Sequence, residues 1–295
     1  MYSFSEIILN ISSFLIFRVI LHRADRMGPD IVAPGYFVRV PRWTDVVGES
    51  TTINVYGTSF ASPVAAGSAA LIRQYFMEGW YPCGWKNCSD QIKPSGSLIK
   101  AVMLNGAQPL LGVQRRRQEE AKDSKEYDNN QGFGLINLVK TVPLYGKNRI
   151  NMVVVNDKGT PEEGEKDEIL VRIRNRDNWN KCRENFLSVT MSYYSIGTYG
   201  CNKTCLKQNI DLRVERVNKR KGNTVFHPNG RNEADSMNNN ERVRIRVKNK
   251  HTYRIIVEAN VMDPTEDDTT YSLAMTGCFD ILKVSEKNLL CTAES

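Results

Sequence analysis

The sequence predicts a chain in two parts, a helix-bearing first half and an all-β second half. Small and apolar residues from Ala61 to Tyr75 fall at helical spacing, and beyond Tyr145-Gly146 the pattern turns to strict alternation. With 295 residues, 41% hydrophobic and 25% charged, the composition describes a globular protein and excludes a disordered tail or a collagen. The length suggests roughly one or two domains of about 100–200 residues each.

Forty Lys and Arg against 33 Asp and Glu give a net charge of +7, a mild bias. Aromatics make up 9%, with no Arg-Gly-Phe or zinc-finger spacing, so no nucleic-acid partner is expected. The seven cysteines include no Cys-x-x-Cys pair and lack the clustering a tetrahedral zinc site needs, so no metal is assigned and disulfides are preferred. Cys83 with Cys88 and Cys201 with Cys205 can close small loops, which leaves one of Cys182, Cys278 and Cys291 unpaired. Reduced cysteines in a cytosolic protein are the alternative. Sequons at Asn10, Asn87 and Asn202 agree with a secreted or secretory-pathway location.

Residues 1–25 form a leader with an apolar run from Ile7 to Leu21. Glu6 precedes the run and no small-residue cleavage site follows it, unlike a secretory signal. Asn10, Ser12, Ser13 and Arg18 also interrupt it, and it is shorter than the ~20 apolar residues of a spanning helix. The leader is expected to be foreign to the fold that follows, and no membrane anchor is expected.

The most informative stretch is Gly57-Thr58-Ser59-Phe60-Ala61-Ser62-Pro63-Val64-Ala65-Ala66-Gly67. Gly57 permits a tight turn, Ser59 sits at the mouth of a helix, and Pro63 is read as falling in a first turn that needs no N–H there. The small face formed by Ala61, Ala65, Ala66, Ala69 and Ala70 lets another element pack close, as in a helix buried mid-domain. A serine in that place has its hydroxyl at the positive helix end and a free backbone N–H that can stabilise an oxyanion. Local physics alone favours the plainer alternative, an N-cap serine on an Ala-rich core helix.

The block resembles the nucleophile signature of the subtilisin-like serine proteases, Gly-Thr-Ser-x-Ala-x-Pro, with Gly57, Thr58, Ser59, Ala61 and Pro63 matching. Three further stretches resemble family motifs in the same order. They are Gly28-Pro29-Asp30-Ile31-Val32-Ala33-Pro34-Gly35, Pro94 to Ala107 with its Asn105-Gly106-Ala107 step, and Gly132-Phe133-Gly134-Leu135-Ile136-Asn137. The resemblance spans about Arg26 to Val142. It implies a serine endopeptidase acting on polypeptides, with Ser59 as nucleophile and backbone oxyanion donor. It also implies an incomplete α/β three-layer domain with a parallel sheet over residues 26–145. Calcium is common in the family, but these residues supply no complete ligand set, and no cofactor is evident.

In the family the triad runs Asp, His, Ser, so both partners should precede Ser59. The residues before it hold no Asp-Thr/Ser-Gly block, no His-Gly-Thr block and no Asn-rich strand. His22, in Leu-His-Arg-Ala-Asp, reads as a bystander. In subtilisin itself the loss of His or Ser costs on the order of 10⁶-fold in turnover. This chain alone is therefore expected to be inactive, as a truncated or mis-assembled product or as a pseudo-protease.

Glu78 to Lys93 reads as a stapled surface excursion or a substrate-contacting insertion. Gln114 to Asn130, with Arg115-Arg116-Arg117, reads as a solvated loop. Residues 146–295 should form an antiparallel sandwich, expected to be a jelly roll, with strands at 152–155, 169–173, 187–191, 212–214, 243–247, 253–257 and 271–275. In the clearest strand Val243, Ile245 and Val247 should face the core while Arg242, Arg244, Arg246 and Lys248 face outward. That basic stripe could take a polyanion, so the alternative function is a non-catalytic binding or scaffold protein acting through the sandwich. Position and strand count also resemble the sandwich that follows the catalytic domain in proprotein convertases.

Overall fold

The alternation of the second half folds into two antiparallel sheets closed over a single apolar core. The computed structural model describes residues 26–110, 126–148, 150–162, 164–174, 182, 184–195, 206–218, 220–261 and 269–284. The first half contributes β1 (Val38–Arg42), β2 (Thr51–Val55), α1 (Thr58–Met77), α2 (Gly96–Asn105) and the short α3 (Leu138–Thr141). The second half contributes β3 (Asn151–Gly159), β4 (Lys166–Ile173), β5 (Phe186–Tyr193), β6 (Asn209–Val217), β7 (Thr224–Phe226), β8 (Asn240–Arg246), β9 (Thr252–Val261), β10 (Thr270–Gly277) and β11 (Phe279–Val284). Each of the seven strands read from alternation coincides with one of these. Two were not legible: β7 is a three-residue edge strand, and β11 follows β10 after Cys278 alone, so the two read as one apolar run.

One sheet has the order β3-β10-β5-β8 and the other β11-β4-β9-β6-β7, with every ladder antiparallel. Between them pack Val153, Val171, Leu187, Val189, Met191, Leu212, Val243, Ile255, Leu273 and Met275. The parallel sheet expected of the first half is not formed by the described residues. Their one parallel pairing is the isolated bridge between Val32 and Leu135, and β1 and β2 make an antiparallel hairpin.

The outer face of the β3-β10-β5-β8 sheet is not left to water. In β10, Tyr271, Leu273 and Met275 join the sandwich core, whereas the small side chains of Ser272, Ala274 and Thr276 turn toward α2. Small residues let a helix approach a sheet closely, and α2 buries Leu98, Ala101, Val102 and Leu104 in doing so. A second core forms there from Ile72, Tyr75 and Phe76 of α1, Leu98, Ala101 and Val102 of α2, and Met152, Val154 and Ala274 of the sheet. This explains why β3 reads Met-Val-Val-Val without alternation, since it is apolar on both faces.

Polar groups at this boundary are paired across it. The Asn105 side chain donates to Thr276 Oγ1 at 2.8 Å and accepts from Thr190 Oγ1 at 3.0 Å, while its carbonyl accepts from Ser188 Oγ at 3.0 Å. Ser95, the N-cap of α2, and Ser97 lie 3.1 and 2.8 Å from the Ser272 hydroxyl.

Arg242 corrects the outward-facing reading of the basic stripe. It is 0% exposed, and all five of its N–H donors are matched. Nη1 donates to the carbonyls of Leu104 (2.8 Å) and Ala107 (3.0 Å). Nη2 donates to the Phe133 carbonyl and to Glu126 Oε1, both at 2.9 Å, and Nε to the Tyr127 hydroxyl at 3.2 Å. Its guanidinium also lies 5.0 and 5.2 Å from the ring centres of Tyr127 and Phe133. Arg244 is drawn in as well, 4.0 Å over the Phe186 ring and 3.6 Å from Glu126. Arg246 and Lys248 are exposed as expected. The physical reason is that the sheet face bearing the stripe is covered by the first half. For the same reason the loop before the closing motif is not wholly solvated: Glu126 and Tyr127 close on Arg242, while residues 111–125 lie outside the described residues.

The cysteine pairing left open resolves as Cys182 with Cys278, a disulfide spanning 96 residues. Cys83 is also disulfide-bonded. Cys201, Cys205, Cys291 and the Cys88 side chain lie outside the described residues, as do residues 1–25.

At one corner of the sandwich Glu241 is fully buried. Its Oε2 accepts from the Leu212 N–H at 2.6 Å and its Oε1 has no hydrogen-bond partner among the described residues. Burial, followed by the nearby Asp211 charge, raises its pKa well above the ordinary glutamate value. The folded state thus binds a proton that the unfolded chain releases near its ordinary value of about 4.3. Stability should fall as pH rises from there through the folded pKa, by up to about 1.4 kcal/mol per pH unit for this one proton. Glu241→Gln should flatten that slope in denaturation measured across pH. An unchanged slope would contradict a protonated Glu241. Independently, Arg242→Ala removes the donor to the buried carbonyls of Ala107 and Phe133, leaves Glu126 with Arg244 at 3.6 Å, and should cost about 3–5 kcal/mol in urea unfolding. A loss under about 1 kcal/mol would show that the guanidinium is dispensable.

Candidate active site

The serine block begins on a glycine for a backbone reason. Gly57 caps α1 at φ 150° and ψ 161°, a region open essentially to glycine alone. Its N–H donates to the Gly35 carbonyl at 2.7 Å, and its own carbonyl accepts from Phe60 (3.1 Å) and Ala61 (3.4 Å). Thr58 and Ser59 are the first two residues of the helix, where N–H groups have no intrahelical acceptor. Ser59 is exposed, so its hydroxyl and its backbone donor stand at the open, positive end of a 20-residue helix.

Two readings of this helix are corrected. Pro63 is the sixth residue of α1, beyond the first turn. The N–H it lacks would have bonded the carbonyl four residues back, which is that of Ser59. The helix is also not buried all round. Its buried residues are Ser68, Ile72, Tyr75 and Phe76, whereas Ala66 and Ala70 are exposed and Ala61, Ala65 and Ala69 half-buried. Among the described residues, α2 and the 78–93 loop cover one side of α1 and the small-residue side stays open.

The four motif stretches, distant in sequence, meet behind the serine turn. Phe133 N–H donates to the Asp30 carbonyl at 2.9 Å, Val32 N–H to Gly134 at 3.0 Å, and Ile136 N–H to Val32 at 3.1 Å. Gln108, just past the end of α2, exchanges two backbone bonds with Leu135 at 2.9 and 2.8 Å. Gly132, at φ 58°, lies so close to the first stretch that a Cβ there would stand 1.9 Å from the Pro29 carbonyl oxygen. Val32 and Ile31 thus lead directly to Pro34-Gly35, and Gly35 holds Gly57. Lys100 of α2 reaches Asp30 at 2.8 Å, which gives that aspartate a structural partner.

No acid–base pair accompanies Ser59 among the described residues. His227 precedes a 3-10 turn in the sandwich and His251 lies between β8 and β9, while His22 lies outside the described residues. Asp45 is exposed in the β1–β2 turn, and Asp25 lies outside the described residues. No group of three or more His, Cys, Asp or Glu converges as a metal site among the described residues, and calcium remains unassigned. Sequence reasoning missed Gly35 as the contact that seats the serine turn, although the spacing Ala-Pro-Gly before Gly-Thr-Ser carries it.

Comparison with known proteins bears directly on this assembly. Residues 15–134 match the subtilase family, a stretch that begins upstream of Arg26 and ends within the closing motif. The chain is 40% identical over 99 residues to the serine protease/ABC transporter B family protein tagD of Dictyostelium discoideum, covering 30% of the chain and 5% of that protein. It is 32% identical over 133 residues to tagA of the same organism, covering 40% and 7%. It is 32% identical over 143 residues to the subtilisin-like protease SBT2.5 of Arabidopsis thaliana, covering 46% and 15%. The chain therefore spans a small part of the length of these relatives, and its match to the subtilase family covers residues 15–134.

A Cβ at Gly35 would stand 2.7 Å from the Gly57 oxygen and 3.0 Å from the Ala61 Cβ. Gly35→Ala should therefore push the serine turn outward and cost about 1–3 kcal/mol, read by thermal unfolding together with amide shifts at Gly57 to Ala61. Unchanged stability and unchanged shifts would show that the turn is not seated by this contact.

Proposed function

We propose that the subtilase segment is the serine-bearing part of the catalytic domain of a subtilisin-type serine endopeptidase that cleaves polypeptides. Ser59 Oγ is the attacking group, and the Ser59 N–H is one donor to the oxyanion that forms on the peptide carbonyl. The observation that carries this reading is the convergence of four motif stretches on one exposed serine, held at the open end of α1 by the Gly35–Gly57 contact.

The aspartate and histidine are to be supplied by polypeptide other than these residues. A hydroxyl without a base is a weak nucleophile, so the chain by itself should turn over substrate on the order of 10⁶-fold more slowly than a complete triad. The open small-residue side of α1, flanked by the exposed Val64 and Leu71, is where that polypeptide would pack. The sandwich supports it from the other side. Its order, β3-β10-β5-β8 against β4-β9-β6-β7, favours the jelly-roll reading. The scaffold alternative, binding through the basic stripe, is weakened because Arg242 is committed to internal carbonyls.

A secreted or secretory-pathway location is part of the proposal. It is supported by the Cys182–Cys278 disulfide and by a second disulfide at Cys83, which persist in oxidising compartments. No helix among the described residues is long and apolar enough to cross a membrane.

Fluorophosphonate labelling tests the nucleophile. The chain extended by an Asp- and His-bearing subtilase segment should label at Ser59 and lose the label in Ser59→Ala, whereas the chain alone should label at least 10³-fold more slowly, as expected on the order of a lost base. Absence of label in the extended form, with folding verified, would overturn the protease reading.

A further inference from the structure

Three features of the 78–93 loop are not used by the serine site. The first is a pair of exposed aromatics, Trp85 (41% exposed) and Tyr145 (74% exposed), with ring centres 5.4 Å apart at 87°. The second is Asn87-Cys88-Ser89, an Asn-x-Ser acceptor sequence whose Asn87 and Ser89 are exposed. The third is a rigid framework that brings them together. Tyr145 N–H donates to the Gly84 carbonyl at 3.0 Å, and a Cβ at Gly84 would stand 2.7 Å from the Tyr145 nitrogen, so the loop is pressed against that strand of chain. Asn87 N–H donates to the Gly79 carbonyl at 2.8 Å, Lys86 pairs with Glu78 at 3.2 Å, and Cys83 is disulfide-bonded.

We propose that Asn87 carries an N-linked glycan whose first sugar lies on the Trp85 ring two residues before it, covering the Trp85–Tyr145 pair. The aromatic face and the acceptor amide are on one short loop, and exposed aromatics grouped in this way are surface with something to cover. The amide geometry suits the modification. Asn87 Oδ1 caps the turn by accepting from Ser89 N–H (3.2 Å) and Ser89 Oγ (2.9 Å), and Nδ2 donates to Asp90 Oδ2 at 2.9 Å. In the transfer, Nδ2 displaces a lipid pyrophosphate from C1 of an oligosaccharide. The C1–N bond forms, the C1–O bond breaks with its electron pair on the leaving pyrophosphate, and one amide proton is lost. One N–H remains for Asp90 and Oδ1 is untouched, so the cap survives. The inference rests on passage of the chain through a secretory lumen.

The test expresses the full chain behind a heterologous secretion signal in a glycosylating eukaryotic host, so that lumenal entry does not depend on the chain's own location. Peptide mapping should find a glycan at Asn87, abolished in Asn87→Gln and in Ser89→Ala. Trimming to a single GlcNAc should keep the melting temperature of the glycosylated form, and the same chain secreted into a bacterial periplasm, where Asn87 stays an unmodified asparagine, should melt lower. Trp85→Ala should keep the glycan and lose that difference. An unmodified Asn87 in secreted protein whose Cys182–Cys278 bond has formed would overturn the proposal, as would a melting difference that persists in Trp85→Ala.

Discussion

One guanidinium joins the two halves of this chain. Arg242 is brought by a sandwich strand into a place where α2 ends, where the Gly-x-Gly motif turns, and where the loop at Glu126 and Tyr127 closes. A buried charge is tolerable only when its donors are matched, and here three carbonyls, a phenol and a carboxylate match all five. The carbonyls of Ala107 and Phe133 would otherwise end inside the protein without a partner among the described residues, while that of Leu104 would keep the Ala107 N–H. The constraint acts in both directions. The sandwich cannot present this face to solvent, and the serine-bearing half cannot leave it without exposing the same groups.

From that point the order passes by backbone hydrogen bonds toward Ser59. Phe133 is fixed by Arg242 through its carbonyl and by Asp30 through its N–H, Val32 is held between Gly134 and Ile136, and Gly35 then receives Gly57. The serine turn thus rests on close backbone approaches, which is why glycine stands at 35, 132 and 134, while Gly57 is required by its backbone angles. The second half serves as the floor on which a serine helix is built, and the disulfide between Cys182 and Cys278 ties that floor from the inside.

Much of this was legible from residues alone. The seven main strands follow from alternation, and the serine block, with three supporting motifs, marks the subtilase stretch. What misled was the meaning of the polar face. Ser188, Thr190, Ser192, Ser272 and Thr276 alternate with apolar residues as a solvated face would, yet they are small and uncharged, and they bury against α2 or beside it. Side-chain size was the available signal, since water-facing strands favour long charged residues. Arg242 carried no such signal, because its surroundings come from residues 104 to 133, more than a hundred positions away. Pro63 and the open side of α1 were misread for a related reason, since helix position and burial depend on chain that a local pattern does not contain.

Native-state hydrogen exchange tests whether the sandwich and the serine-bearing half are one cooperative unit joined at Arg242. The hydrogen-bonded amides of Val32, Phe133 and Leu135 should open with the same free energy and the same denaturant dependence as those of Val189 and Leu273. Exchange of the first group through a low-energy opening, while the sandwich amides stay protected, would contradict it.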